Sequence, residues 1–155
     1  MTISRCSGLA LLLLAGCSNN NPEGDARRLG LAFCGAVKGH EEKSAEALMT
    51  PALQAGIARV RTADAAFRKA SPGEKPPLGD GLPLAGFPDS VATCTPTVDA
   101  PERVTLAYMP AGDGSGGWRD QLQLERVSGR LLVADILYGP DQRQRFSQWI
   151  AANGG

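Results

Sequence analysis

The sequence predicts an α+β fold: N-terminal helices packed on an antiparallel sheet of about four strands. Three observations carry this prediction. Apolar residues recur at helical spacing as far as Ala70. Beyond Asp89 the period falls to two, in short runs bounded by Pro and Gly. The two patterns do not alternate and no P-loop occurs, which disfavours a parallel nucleotide-binding sheet. At 155 residues the chain has room for one domain.

The first helix is predicted over residues 25–37, with Leu29, Phe33, Ala36 and Val37 on one face. Gly39-His40 interrupts it, and residues 41–49 form a short second helix carrying Ala45, Leu48 and Met49. Thr50-Pro51 starts the third, with Thr as N-cap and Pro at the first helical position. Leu53, Ile57, Val60 and Phe67 form its apolar stripe, while Arg59, Arg61, Arg68 and Lys69 read as a solvated face. Ser71-Pro72-Gly73 ends it. Residues 71–88 then hold five Pro and four Gly in 18 positions, an uncommonly long loop for a compact domain. Its Leu78, Leu82, Leu84 and Phe87 are expected to pack on the domain.

Strands are predicted over residues 91–98, 102–109, 118–127 and 130–138. Val104, Leu106 and Tyr108 share one side of the second. The stretch 110–117 reads as a hairpin tip and not a phosphate cradle, because no helix follows it. Ser128-Gly129 reads as a two-residue turn. Gly139-Pro140-Asp141 opens a C-terminal helical segment with Phe146, Trp149 and Ile150 apolar.

Lys plus Arg equal Asp plus Glu at 16 each, which argues against a basic nucleic-acid surface and an acidic tail. An apolar share of 43% argues against wholesale disorder. With one His, a histidine-based metal site or a Ser/His/Asp triad has almost no raw material. Glu41 and Glu42 beside His40 are poorly spaced for one metal site. No metal, cofactor or nucleic-acid partner is therefore expected.

Residues 1–16 read as a leader. Arg5 supplies the positive end, and residues 9–15 form an apolar run far shorter than the roughly 20 residues of a membrane span. The run ends in Leu14-Ala15-Gly16-Cys17, which closely resembles the lipobox of bacterial lipoproteins. That resemblance implies a diacylglyceryl thioether on Cys17, cleavage before it and acylation of the new N-terminus. Two or three acyl chains hold a protein at a membrane where one does so only marginally. Ser18 is not the Asp that resembles an inner-membrane retention signal, so a periplasm-facing site on the outer membrane is expected. Residues 17–24 read as a polar tether and 25–155 as a single α+β domain. Loss of Arg5 leaves one more acid than base. Cys6 departs with the leader and Cys17 carries lipid. Cys34 and Cys94 remain, a single pair in an oxidising compartment, and are expected to form a disulfide.

The helical half with Leu48-Met49-Thr50-Pro51-Ala52-Leu53, the strand Trp118-Arg119-Asp120-Gln121-Leu122-Gln123-Leu124, and the run Gly129-Arg130-Leu131-Leu132-Val133-Ala134-Asp135-Ile136-Leu137-Tyr138 resemble small secreted proteins of the nuclear transport factor 2-like (cystatin-like) superfamily. The resemblance covers about residues 25–138. Members often carry a Trp soon after that Gly, where this chain has Leu131-Leu132. It implies a curved sheet wrapped against helices, forming a cone with an internal pocket. Fold alone does not give function.

With Ser128-Gly129 as the turn, Leu122 would oppose Asp135, Leu124 would oppose Val133 and Asp120 would oppose Leu137. Asp120 and Asp135 would then share an aliphatic face. Desolvation there raises carboxyl pKa values, which suits general acid–base work. The structural alternative puts Asp120 at an exposed strand start and pairs Asp135 with Arg126 or Arg119. Near the C-terminus, Arg143, Arg145, Phe146 and Trp149 mix cations with aromatics. Arg143, Phe146 and Trp149 are thus binding candidates. The alternative is a helix docking Phe146, Trp149 and Ile150 on the sheet.

These features favour a lipid-anchored periplasmic binding or accessory protein without catalysis, its partner an envelope protein or a small apolar ligand. Two alternatives stand beside it. One is an envelope inhibitor or immunity protein using residues 71–88 as its contact surface. The other is a small pocket enzyme using Asp120 or Asp135.

Overall fold

A computed structural model describes residues 21–86, 91–111, 116–139 and 141–154. Cys17 and the leader lie outside the described residues, as does Phe87. The order is α1 (Pro22–Lys38), α2 (Glu42–Glu46), α3 (Pro51–Ala70), β1 (Val91–Ala100), β2 (Arg103–Pro110), β3 (Trp118–Val127), β4 (Arg130–Tyr138), β5 (Gln144–Arg145) and α4 (Phe146–Asn153). The strands form one antiparallel meander in sequence order, and the sheet is open. The fold is the expected α+β, with five strands instead of about four. Two-residue β5 is too short to leave a periodic trace.

Asn21 caps α1 by accepting the Gly24 amide at 2.9 Å, with Pro22 in the first turn. Glu23 and Asp25 at its start and Lys38 at its end complement the helix dipole. The helix therefore begins three residues before the apolar period does, and residues 22–24 are its first turn instead of tether. At Gly30 a β-carbon would stand 2.9 Å from both Pro96 Cβ and Val104 Cγ1, so α1 lies close upon the sheet. A disulfide joins Cys34 of α1 to Cys94 of β1, with Cα atoms 5.4 Å apart. The expected pairing is present. It closes a loop spanning 60 positions, for which chain entropy predicts about 4 kcal/mol.

Thr50 caps α3 as expected, its hydroxyl accepting the Leu53 amide at 3.4 Å. Leu53, Ile57 and Val60 are buried, but Phe67 is only half-buried. The next buried position on that stripe is taken by Asp64.

Ser128 and Gly129 have φ of 49° and 82°, the two positive values of a hairpin turn matched to strand twist. The predicted pairing holds next to this turn, from Val127↔Arg130 to Leu124↔Val133. It then slips, so that Gln123 faces Asp135, Leu122 faces Ile136 and Gln121 faces Leu137. Ala134 is the extra residue of a β-bulge. A slip of one residue reverses every side chain beyond it. Asp120 points to the core face with Leu122 and Leu106, while Asp135 points to the opposite face beside Gln123. The expectation that the two carboxylates share a face is corrected by this bulge.

The outer edge of β4 is covered in two places. Val133 donates to the Leu48 carbonyl and accepts from the Thr50 amide, both at 2.9 Å. Further along, Leu137 and Tyr138 pair with Arg145 and Gln144 of β5. The core lies between the helices and the sheet, built from Phe33, Met49, Ile57, Leu106, Leu122, Ile136 and Phe146. Among the described residues no helix is long and apolar enough to cross a membrane.

Candidate ligand cleft

The long loop after α3 is held to the domain by carboxylates that receive its backbone N–H groups. Asp64 of α3 accepts from Leu78 at 2.8 Å, Glu42 of α2 from Leu82 at 2.8 Å, and Asp120 of β3 from Gly86 at 2.8 Å. Tyr138 of β4 donates its hydroxyl to the Pro83 carbonyl. Gly81 has φ +81°, and a β-carbon there would collide with the Glu42 carboxylate. Between these ties Leu82, Leu84 and Ala85 are buried, which confirms Leu82 and Leu84 as packing positions; Leu78 is half-buried. Pro and Gly composition alone reads as loop; its backbone amides are satisfied by acids distant in sequence.

Asp120 is the innermost of these acids, at 1% exposure. Its second oxygen accepts the Gly139 amide at 3.0 Å. Burial pushes its carboxyl above the usual range, against the opposing pull of the Gly139 and Gly86 amides and the Trp118 indole. Neither an exposed strand start nor a free acid in a wet pocket describes it. Tyr108 and Trp118 stack beside it with centroids 5.2 Å apart. Burial, then the Asp120 charge, push the Tyr108 hydroxyl far up, and Tyr138 shifts the same way from burial, Asp120, Asp135 and Tyr108. Both phenols stay neutral in ordinary buffers. The Tyr108 hydroxyl is buried without a hydrogen-bond partner among the described residues.

Asp135 is a helix cap supplied from a neighbouring strand. Its Oδ1 accepts the Ser147 amide at 3.0 Å, and its Oδ2 accepts the Ser147 hydroxyl at 2.7 Å. Arg145, at the N-cap of α4, makes no side-chain cap of its own. Its Nη1 stands 3.6 Å from Asp135 Oδ2 and 3.4 Å from Gln123 Oε1. The cation beside Asp135 is therefore Arg145. Arg126, one of the two expected partners, binds Asp25 and the Gly129 carbonyl.

A cleft of about 390 Å³ opens between the pinned loop and the start of α4. That volume is in the range of small-molecule sites. Among the described residues it is lined by Pro83, Ala85 and Gly86 on one wall, by Tyr138 at the sheet, and by Gln144, Arg145, Gln148 and Trp149 opposite. Of the aromatic-cationic candidates, Trp149 lines it. Phe146 is fully buried in the core and lies parallel to Trp149 at a centroid distance of 5.9 Å. Burial removes Phe146 from any direct contact with a ligand. Arg143 is exposed, pairs with Asp141 at 3.6 Å and does not line the cleft. Arg145, Gln144, Gln148 and Tyr138 take the place assigned to those two. The period-two pattern ending at Tyr138 hides them, because β5 and the tertiary fold of the loop create the site.

The chain matches no protein-family model, no curated protein and no solved structure. Among the described residues no cluster of His, Cys, Asp and Glu could hold a metal ion. His40 lies exposed at φ 53° in the turn after α1.

Proposed function

We propose that this chain is a lipid-anchored envelope protein, periplasm-facing and attached to the outer membrane, whose domain binds a ligand without catalysis. The cleft between residues 83–86 and α4 is its binding site. One observation carries this reading: the cleft is lined by Trp149, Arg145 and two glutamines, while the nearby acids are consumed by the fold. Both oxygens of Asp120 and both of Asp135 accept hydrogen bonds from the protein itself. A general base needs a lone pair within reach of substrate. The Leu14-Ala15-Gly16-Cys17 leader supports the anchor, and the helices-then-sheet order supports the nuclear transport factor 2-like resemblance.

Two measurements test the two halves. Radiolabelled palmitate should enter the wild-type protein and not Cys17→Ser, which should also leave the membrane fraction. Native mass spectrometry of protein isolated from its own envelope should find a small molecule bound to the wild type and absent from Trp149→Ala. Bare protein in both would defeat the cleft as a binding site.

A further inference from the structure

The lining of the cleft specifies a kind of ligand, an inference that rests on the binding reading above. We propose that it takes an acidic saccharide: a pyranose ring that carries a carboxylate. Three features of the wall meet that chemistry.

The first is Trp149. The Phe146 ring lies parallel to the indole with centroids 5.9 Å apart, and the half-buried indole lines the cleft. An aromatic face is electron-rich and attracts the polarised C–H groups of a flat apolar surface. The C–H face of a pyranose is such a surface.

The second is the pair Gln144 and Gln148, both exposed at the cleft rim. Each amide offers one acceptor and two donors. A ring of hydroxyls, each both donor and acceptor, matches that mixed set; a hydrocarbon does not. This narrows the small apolar ligand expected from sequence to a polar one with an apolar face.

The third is Arg145, the single charged side chain among the described lining residues. Asp135 and Gln123 engage only its Nη1. Among the described residues that leaves the Nε and Nη2 donors of a guanidinium already held in place, and its side chain is 40% exposed. A carboxylate fits two parallel guanidinium N–H groups, and such charge-assisted pairs are about twice as strong as neutral ones. Pre-orientation by Asp135 lowers the ordering cost of forming that contact.

The test is saturation-transfer NMR on the full chain in detergent. The probes are glucuronic acid, N-acetylmuramic acid, glucose and acetate. Both acidic sugars should bind, glucose more weakly, and acetate not detectably. Arg145→Gln should weaken the acidic sugars about tenfold or more while leaving glucose unchanged, as expected for loss of a charged hydrogen-bond pair. Gln148→Leu, at an exposed position, should weaken all three sugars. Unchanged melting temperatures show that each variant is folded. Equal affinity for glucose and the acids, or acid affinity indifferent to Arg145→Gln, would overturn the carboxylate assignment. No sugar binding at all would overturn the saccharide class. If native mass spectrometry still finds a Trp149-dependent small molecule in that case, the binding reading survives and only the ligand class falls.

Discussion

The carboxylate of Asp120 on β3 accepts the backbone N–H of Gly86 at 2.8 Å, joining the sheet to a loop 34 positions earlier. The same side chain takes the Gly139 amide at 3.0 Å, just past the end of β4. One buried acid thus fixes the loop wall of the cleft and the end of the strand below it. Asp120→Ala would leave two inward-facing N–H groups without an acceptor. Unsatisfied buried donors cost about 1–3 kcal/mol each, so a loss of about 3 kcal/mol is expected in urea unfolding. A loss under about 1 kcal/mol would show that the loop does not depend on this tie.

The direction of the Asp120 shift fixes the sign of its pH dependence. Burial raises its pKa above the ordinary 3.8, so the folded chain keeps this proton after the unfolded chain has released it. Its contribution to stability is most favourable below 3.8 and declines as pH rises through the raised value. Measured against Asp120→Asn, the wild type should lose relative stability over that window. A relative gain would contradict a buried, desolvated carboxylate.

Asp64 titrates with the opposite sign. The Arg68 guanidinium, and the Leu78 amide after it, hold its pKa below 3.8 despite burial. Its contribution is present above 3.8 and is lost as pH falls through the lowered value. Asp64→Asn should flatten the acid limb of the stability curve. It should also speed hydrogen exchange at Leu78 while leaving Gly86 protected. Equal acceleration at both amides would mean that the loop opens as one unit.

Asp135→Ala tests the borrowed cap of α4. Capping losses run about 0.5–2 kcal/mol, and a value near the upper end is expected because two bonds to Ser147 disappear. Arg145 is partly exposed and is not stranded by the change. The larger penalty of a buried unpaired cation therefore does not apply. A double-mutant cycle with Ser147→Ala should show coupling; strictly additive effects would deny the cap.

Close helix packing gives a contrast between two glycines. Alanine gains about 1 kcal/mol over glycine in a helix interior. At Gly30 the added methyl meets Pro96 Cβ and buried Val104 at 2.9 Å, whereas at Gly56 it meets side chains alone, Ile150 Cγ2 at 2.6 Å and Arg59 Nη2 at 3.7 Å. Proline cannot move aside, and overpacking costs about 1–3 kcal/mol. Gly30→Ala should therefore destabilise clearly, and more than Gly56→Ala. The reverse order would show that α1 can shift on the sheet.

Much of this fold is legible in local pattern. The caps at Thr50 and Ser128-Gly129 are set by residues within four positions, and β3 and β4 fall where the period-two runs predict. The Cys34–Cys94 bond follows from counting thiols. What is not legible depends on partners far along the chain. The bulge at Ala134 has no local signature, yet it separates Asp120 from Asp135 by a sheet thickness. Asp64 sits on an apolar stripe because its partner amide comes from Leu78, 14 positions on. The cleft is half-legible: composition alone marks Trp149 as a candidate. It does not separate Arg145 from Arg143; β5, a pairing of two residues, places Arg145 on the cleft wall.

The cleft beside Trp149 is the proposed ligand site. A crystal structure of the protein expressed with its native leader and isolated from its own envelope is the direct test. Ordered ligand density is expected against Trp149 and the Nε and Nη2 atoms of Arg145. Ligand density elsewhere, such as beside Asp120 and Tyr108, with the cleft filled only by solvent, would contradict it.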